Sequence, residues 1–248
     1  MRTANPALNS KTFTGFGQMT DTSRAMSIQG TVNKIALLAL LVLITSSWTW
    51  RLYYASGNPS AVIPWVLGGA FGGFIVALIT IFKKQWAYFT APIYALLEGM
   101  FLGGISAIFE AQYPGIVIQA VSLTLGTLFC LLLAYRSGVI KVTENFKLGV
   151  AAATGGIALI YLATLALGFF GVRMPFIHES GLIGIGFSLF VVVIAALNLV
   201  LDFDFIESGA ESGAPKYMEW YAAFGLMVTL IWLYIEILRL LAKLRSRR

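Results

Sequence analysis

Charge is scarce in this chain: of 248 residues only 11% are Asp, Glu, Lys or Arg, while 58% are hydrophobic. Cysteine and histidine are scarcer still, with one of each, Cys130 and His178. A lone cysteine excludes an intramolecular disulfide and a thiolate metal cluster, and Cys130 reads as a small apolar packing residue. A lone histidine in a short connection reads as exposed, although it titrates near neutral pH. There is no His-Glu-x-x-His, no Gly-x-Ser-x-Gly and no histidine at membrane depth to activate a serine, so an enzyme is not expected and no cofactor is called for. A Schiff-base retinal protein is excluded by the last apolar segment, where lysine occurs only at the flanks, as Lys216 and Lys243.

What is present is apolar sequence in long runs. With a mean hydropathy of +0.84 the chain is far from the composition of a soluble domain. Seven stretches approach the roughly 20 residues that a spanning helix needs: 35–54, 61–82, 86–109, 115–135, 147–170, 181–203 and 219–242. The fold class is therefore an all-α integral membrane protein with seven transmembrane helices, and no room remains for a soluble domain. Residues 1–34 are polar and read as a mobile N-terminal tail. The transmembrane domain covers 35–242, and 243–248 form a basic C-terminal tail. The segment from Ile35 lies too deep and runs too long for a secretory signal, so it is expected to remain as the first helix.

Orientation follows Lys and Arg in the short loops. An inside N-terminus places Lys83, Lys84, Arg136, Lys141, Lys147 and Lys216 inside, against Arg51 and Arg173 outside. The tail residues Lys243, Arg245, Arg247 and Arg248 disagree, because seven crossings put them outside. Either the last segment returns on one side or the other loops outvote the tail; its length favours a crossing. The net charge of +6 collects at membrane boundaries, where it attracts anionic lipid, and needs no nucleic-acid partner.

Small residues allow helices to approach closely in lipid. Gly68, Gly69, Gly72 and Gly73 in the second segment, and Gly99 and Gly103 followed by Ser106 in the third, predict close packing.

The candidates for chemistry are acids at membrane depth, which are rarely kept without a role. Asp202 and Asp204 close the sixth segment. They sit about 200° apart on a helix, so only one faces the interior, and the deeper, Asp202, is favoured. Glu98, near the middle of the third segment, is the deepest acid and must be protonated, find a partner or face water. Glu207, Glu211 and Glu219 follow through a Gly- and Ser-rich stretch expected to be a flexible loop, where acids beside a vestibule would concentrate cations. Glu236 precedes Arg239 by one turn and is expected to pair with it near the membrane boundary. Asn198, Thr229 and Tyr234 add polar groups able to join an interior network.

These residues, in order, resemble the Bax inhibitor-1 family in its bacterial YccA-like branch. The resemblance covers about 35–242 and rests on the seven segments, Glu-Gly-Met-Phe-Leu-Gly-Gly at 98–104, Leu-Asp-Phe-Asp-Phe-Ile-Glu at 201–207 and Glu-Ile-Leu-Arg-Leu-Leu at 236–241. It implies six helices around a central seventh and a pH-sensitive calcium leak across a bacterial inner membrane. The family's acid at the end of the sixth helix, with Ile four residues on, matches Asp202 with Ile206. Leak-active members pair that acid with an aspartate on the seventh helix, and the matching position here is Thr229. A hydroxyl can hydrogen-bond but cannot share an acidic proton as a second carboxylate does, so Glu98, Glu219 or Glu236 would have to supply the second acid. Transient calcium binding is expected at Asp202 and Glu98. YccA-like relatives are also associated with restraint of a membrane-bound ATP-dependent protease, which makes a non-conducting regulator the alternative.

Overall fold

The computed structural model describes residues 25–170 and 181–247. Among these residues there are seven helices long and apolar enough to cross a membrane: α1 (Ile28–Ser56), α2 (Ile63–Phe82), α3 (Ala87–Gln112), α4 (Ile116–Arg136), α5 (Glu144–Phe169), α6 (Leu182–Glu211) and α7 (Met218–Ser246). Large apolar side chains such as Phe71, Phe82, Leu133 and Leu159 are exposed along them. In water such surface would drive association; in a bilayer it faces acyl chains. α7 is the most buried, with 56% of its most apolar stretch covered, followed by α3 at 50%, whereas α5 has 11%. The last helix thus has the deepest burial of the seven, as the family resemblance leads one to expect of a central helix.

The chain divides into two compact units. One holds α1, α2 and α3 with Phe205–Val228, which comprises the end of α6 and the start of α7. In it α3 packs against both α1 and α2. The expected small-residue faces are what permits this: a side chain at Gly99 would strike Thr45 and the Val42 backbone of α1, and one at Gly103 would strike Ser46 and Thr49. Gly69 and Gly73 of α2 lie against Leu97, Glu98 and Phe101 of α3, while Gly68 faces open space. Tyr94 of α3 meets Phe224 of α7 edge-on at 4.9 Å.

The other unit holds α4, α5, the greater part of α6 up to Asp204, and α7 from Thr229. Its core is Ile157 of α5 with Val191 and Ile194 of α6, flanked by Ala153, Tyr161, Phe187, Leu197 and Trp232.

Four boundaries differ from the sequence reading. α1 begins at Ile28, ahead of its apolar run, because Ser27 caps it by accepting from the Gly30 N–H at 3.0 Å. Met26 is buried and its N–H donates to the Ala214 carbonyl, so residues 25–34 belong to the fold rather than to a tail. The earlier residues lie outside the described ones, as do Arg173 and His178. α6 does not stop at Phe203 but continues to Glu211, with Phe205, Ile206 and Gly209 buried. The expected flexible acidic loop is therefore mostly helix, and the chain turns only at Gly213, whose φ of +66° suits glycine. α7 runs through Lys243 and Arg245 to Ser246, so most of the basic tail is helical. Cys130 is exposed on α4 rather than packed inside.

α7 is one continuous helix, long and apolar enough to cross rather than return. Its first turn meets the second turn of α1 through Glu219 and Lys34, whereas at its far end Lys243 donates to the Gly184 carbonyl and Ser188 Oγ near the start of α6. Arg245 there reaches Gln119 near the start of α4. A continuous helix of 29 residues rises 1.5 Å per residue and is ample for a bilayer core of about 30 Å.

Candidate functional site: acids and polar partners within the helices

On α6 the stretch from Leu199 to Phe203 is buried all round, and Asp202 within it has no exposed surface. It faces protein, not lipid. Thr229 of α7, in the same compact unit, is also buried, and each is engaged by neighbouring groups. One turn before Asp202, Asn198 donates to Thr154 Oγ1 of α5 and to the Ile194 carbonyl, both at 2.8 Å. A buried amide held in this way ties α6 to α5 beside the acid.

Asp204, expected to face away from the interior, is mostly covered as well, with 18% of its side chain exposed. Its carboxylate meets Lys147 Nζ of α5 at 2.9 Å, and Glu144 approaches the same ammonium at 3.5 Å. Lys147 is only 2% exposed. The sequence reading counted it as a loop charge at the very start of the 147–170 segment; the signal that would have placed it a turn further in is Thr143, whose hydroxyl accepts from the Phe146 N–H and caps α5 just ahead of Glu144.

Glu219, read as part of an open acidic loop, is fully buried in the first turn of α7. One oxygen accepts from the Ser27 N–H at 3.0 Å and from its hydroxyl at 2.9 Å, and the other meets Lys34 Nζ at 2.5 Å. Lys216 stands 3.7 Å away. The carboxylate is thus saturated by α1 and serves as an anchor. Neither Ser27 nor Lys34 carried a local signal for this role, since the contact joins residues far apart in sequence.

Glu236 pairs with Arg239 at 3.1 Å as expected, and also accepts from the Tyr161 hydroxyl of α5 at 3.0 Å. The Arg239 guanidinium lies over the Tyr161 ring, 5.8 Å from its centre. Glu236 is 2% exposed and its partner arginine 49%, the geometry of a charge reaching out of the apolar layer. Glu98 belongs to the unit of α1–α3, half-buried against Gly73 of α2 with Tyr94 one turn back.

The candidates therefore fall into separate settings: Asp202 within the buried stretch of α6, Asp204 on Lys147, Glu236 on Tyr161 and Arg239, Glu219 on α1, and Glu98 against α2. Among the described residues no group of three or more His, Cys, Asp or Glu gathers to hold a metal ion. A closed calcium cage is not built by these residues, whereas weak, single-carboxylate contact with a passing cation needs none.

Seven apolar helices with acids enclosed between them define a multi-pass integral membrane protein. Within that class the chain matches the family described as Bax inhibitor 1 like over residues 5–246, and it belongs to that family. No curated protein and no solved structure matches it.

Proposed function

We propose that the protein is a slow, pH-modulated leak for calcium or another cation in a bacterial inner membrane, with its N-terminus in the cytoplasm. The observation that carries this reading is the complete burial of Asp202 inside a long apolar helix, beside the Asn198–Thr154 pair. A carboxylate so placed is costly, roughly 2.5 to 3.5 kcal/mol on insertion scales, and is retained where it contacts ions or protons. Asp202 would meet the ion; Thr229, Asp204, Glu98, Glu219 and Glu236 would line the route or set its response to pH. No catalytic step and no cofactor is assigned.

Family membership supports the class, and the clustering of Lys83, Lys84, Arg136, Lys141 and Lys216 at alternate helix ends supports the orientation. The deciding experiment is calcium efflux from loaded liposomes containing purified protein, at acid and neutral pH, with Asp202→Asn in parallel. A leak altered in rate or pH dependence by Asp202→Asn is the expected result; equal flux from equally folded protein removes Asp202 from the mechanism.

One observation favours a second reading. The site offers a hydroxyl at Thr229 where a second carboxylate would complete an acidic pair. A non-conducting protein that regulates a membrane-bound ATP-dependent protease would leave liposomes tight and would slow that protease when the two are reconstituted together.

A further inference from the structure

α5, α6 and α7 carry the same pattern along the faces they share in one compact unit: polar, then apolar, then polar. On α5 the order is Thr154, Ile157, Tyr161; on α7 it is Thr229, Trp232, Glu236. α6 runs the other way and reads Ser188, then Val191 and Ile194, then Asn198 and Asp202. Spacings of three, four and seven keep each set on one side of its helix. Two polar layers result. In one, Asn198 bonds Thr154 at 2.8 Å, with Asp202 one turn on. In the other, Tyr161 and Arg239 hold Glu236, and Lys243 holds Ser188 at 2.8 Å.

Between them lies the core cluster of Ile157, Val191 and Ile194, each less than a tenth exposed, with Trp232 packed against it. Along α6 the two polar layers are separated by the ten residues from Ser188 to Asn198, about 15 Å of helix. Nothing in that interval on the three facing surfaces offers a hydrated ion a side-chain ligand. A narrow apolar layer between wet or polar ones resists wetting and so blocks ions without any moving lid.

We propose that Ile157, Val191, Ile194 and Trp232 form a hydrophobic barrier in series with Asp202, and that Glu236 with Tyr161 and Arg239 is the polar station on its far side. This deepens the leak reading and rests on it. The barrier accounts for slowness: a cation leaving the Asp202 layer must cross a stretch that cannot replace its hydration. Glu236 is charge-balanced by Arg239 and offers the next carboxylate oxygen.

The test uses full-length protein in calcium-loaded vesicles. Val191→Thr keeps the side-chain shape and adds a hydroxyl; Ile157→Ser opens the layer more strongly. Expected is a rise in efflux of about tenfold for Ile157→Ser and less for Val191→Thr, as a dry constriction becomes wettable. If the parent leaks and both folded variants leak at the same rate, the barrier assignment fails and the leak reading survives. If the parent is tight and the variants leak, the barrier stands and the leak reading fails. If all are tight, both fail.

A second measurement does not depend on flux. In a Cys130→Ser background, Ile194→Cys is expected to resist a water-soluble methanethiosulfonate and to become reactive when Val191→Thr is added. Rapid labelling of Ile194→Cys alone would mean that water already fills the layer, and would overturn the proposal.

Discussion

Lys34 of α1 and Glu219 of α7 form an ion pair at 2.5 Å that joins the second turn of the first helix to the first turn of the last, although 185 residues separate them in sequence. Ser27 adds two hydrogen bonds to the same carboxylate while its own oxygen caps α1. Gly30 makes the approach possible, since a side chain there would run into the Glu219 carboxylate.

Removing either half of this contact is therefore expected to destabilise the fold. Lys34→Met leaves a buried carboxylate with only Ser27 and the more distant Lys216 and should lower stability by about 2 kcal/mol. Gly30→Ala, which changes no charge, should cost a similar amount by forcing α1 away from α7. Thermal unfolding in detergent checks both. Unchanged melting of Gly30→Ala would mean that the two helices are not this close.

The glycines of α2 and α3 give a contrast within one kind of substitution. Gly103→Ala meets the backbone of α1 at Ser46 and is expected to lose about 1 to 3 kcal/mol. Gly68→Ala enters open space in mid-helix and should be neutral or slightly stabilising. Equal melting temperatures for the two would contradict the packing of α3 on α1.

The same contrast shows what could be read from the sequence. Segment number, the small-residue faces and the Glu236–Arg239 pair follow from local periodicity, because both partners or the whole stripe lie on one helix. Gly68 is the limit of that reading: it shares the spacing of Gly69, Gly72 and Gly73, yet points away from α3. The favoured burial of Asp202 over Asp204 came from helix geometry and depth. What escaped was long-range. Glu219 looked solvated because its neighbours are Gly, Ser, Pro and Lys, and only the fold brings Ser27 and Lys34 onto it. Lys147 looked like a loop charge because its acid, Asp204, is on another helix.

That buried lysine makes a further prediction. Lys147→Met removes the cation and leaves Asp204 in a mostly covered position, so stability should fall by about 2 kcal/mol or more. Combining it with Asp204→Asn removes the stranded charge and should recover part of the loss. Additive losses in the double-mutant cycle would show that Lys147 and Asp204 do not act as a pair.

The last prediction turns on Thr229. It is buried on α7 in the same compact unit as Asp202, with a hydroxyl where leak-active members of the family are implied to carry a second aspartate. A single carboxylate cannot show the coupled, two-step titration of an acidic pair. Thr229→Asp would place a second carboxyl on the α7 face that continues to Glu236, and two neighbouring carboxylates resist ionising together. Calcium efflux from liposomes is therefore expected to acquire, or to enlarge, a dependence on pH between acid and neutral conditions. Asp202→Asn in the Thr229→Asp background should abolish the added dependence, since it removes one member of the pair. Superimposable pH profiles for the parent and folded Thr229→Asp would place residues 202 and 229 out of reach of one another, and would leave Glu98 or Glu236 to set any pH response of the parent.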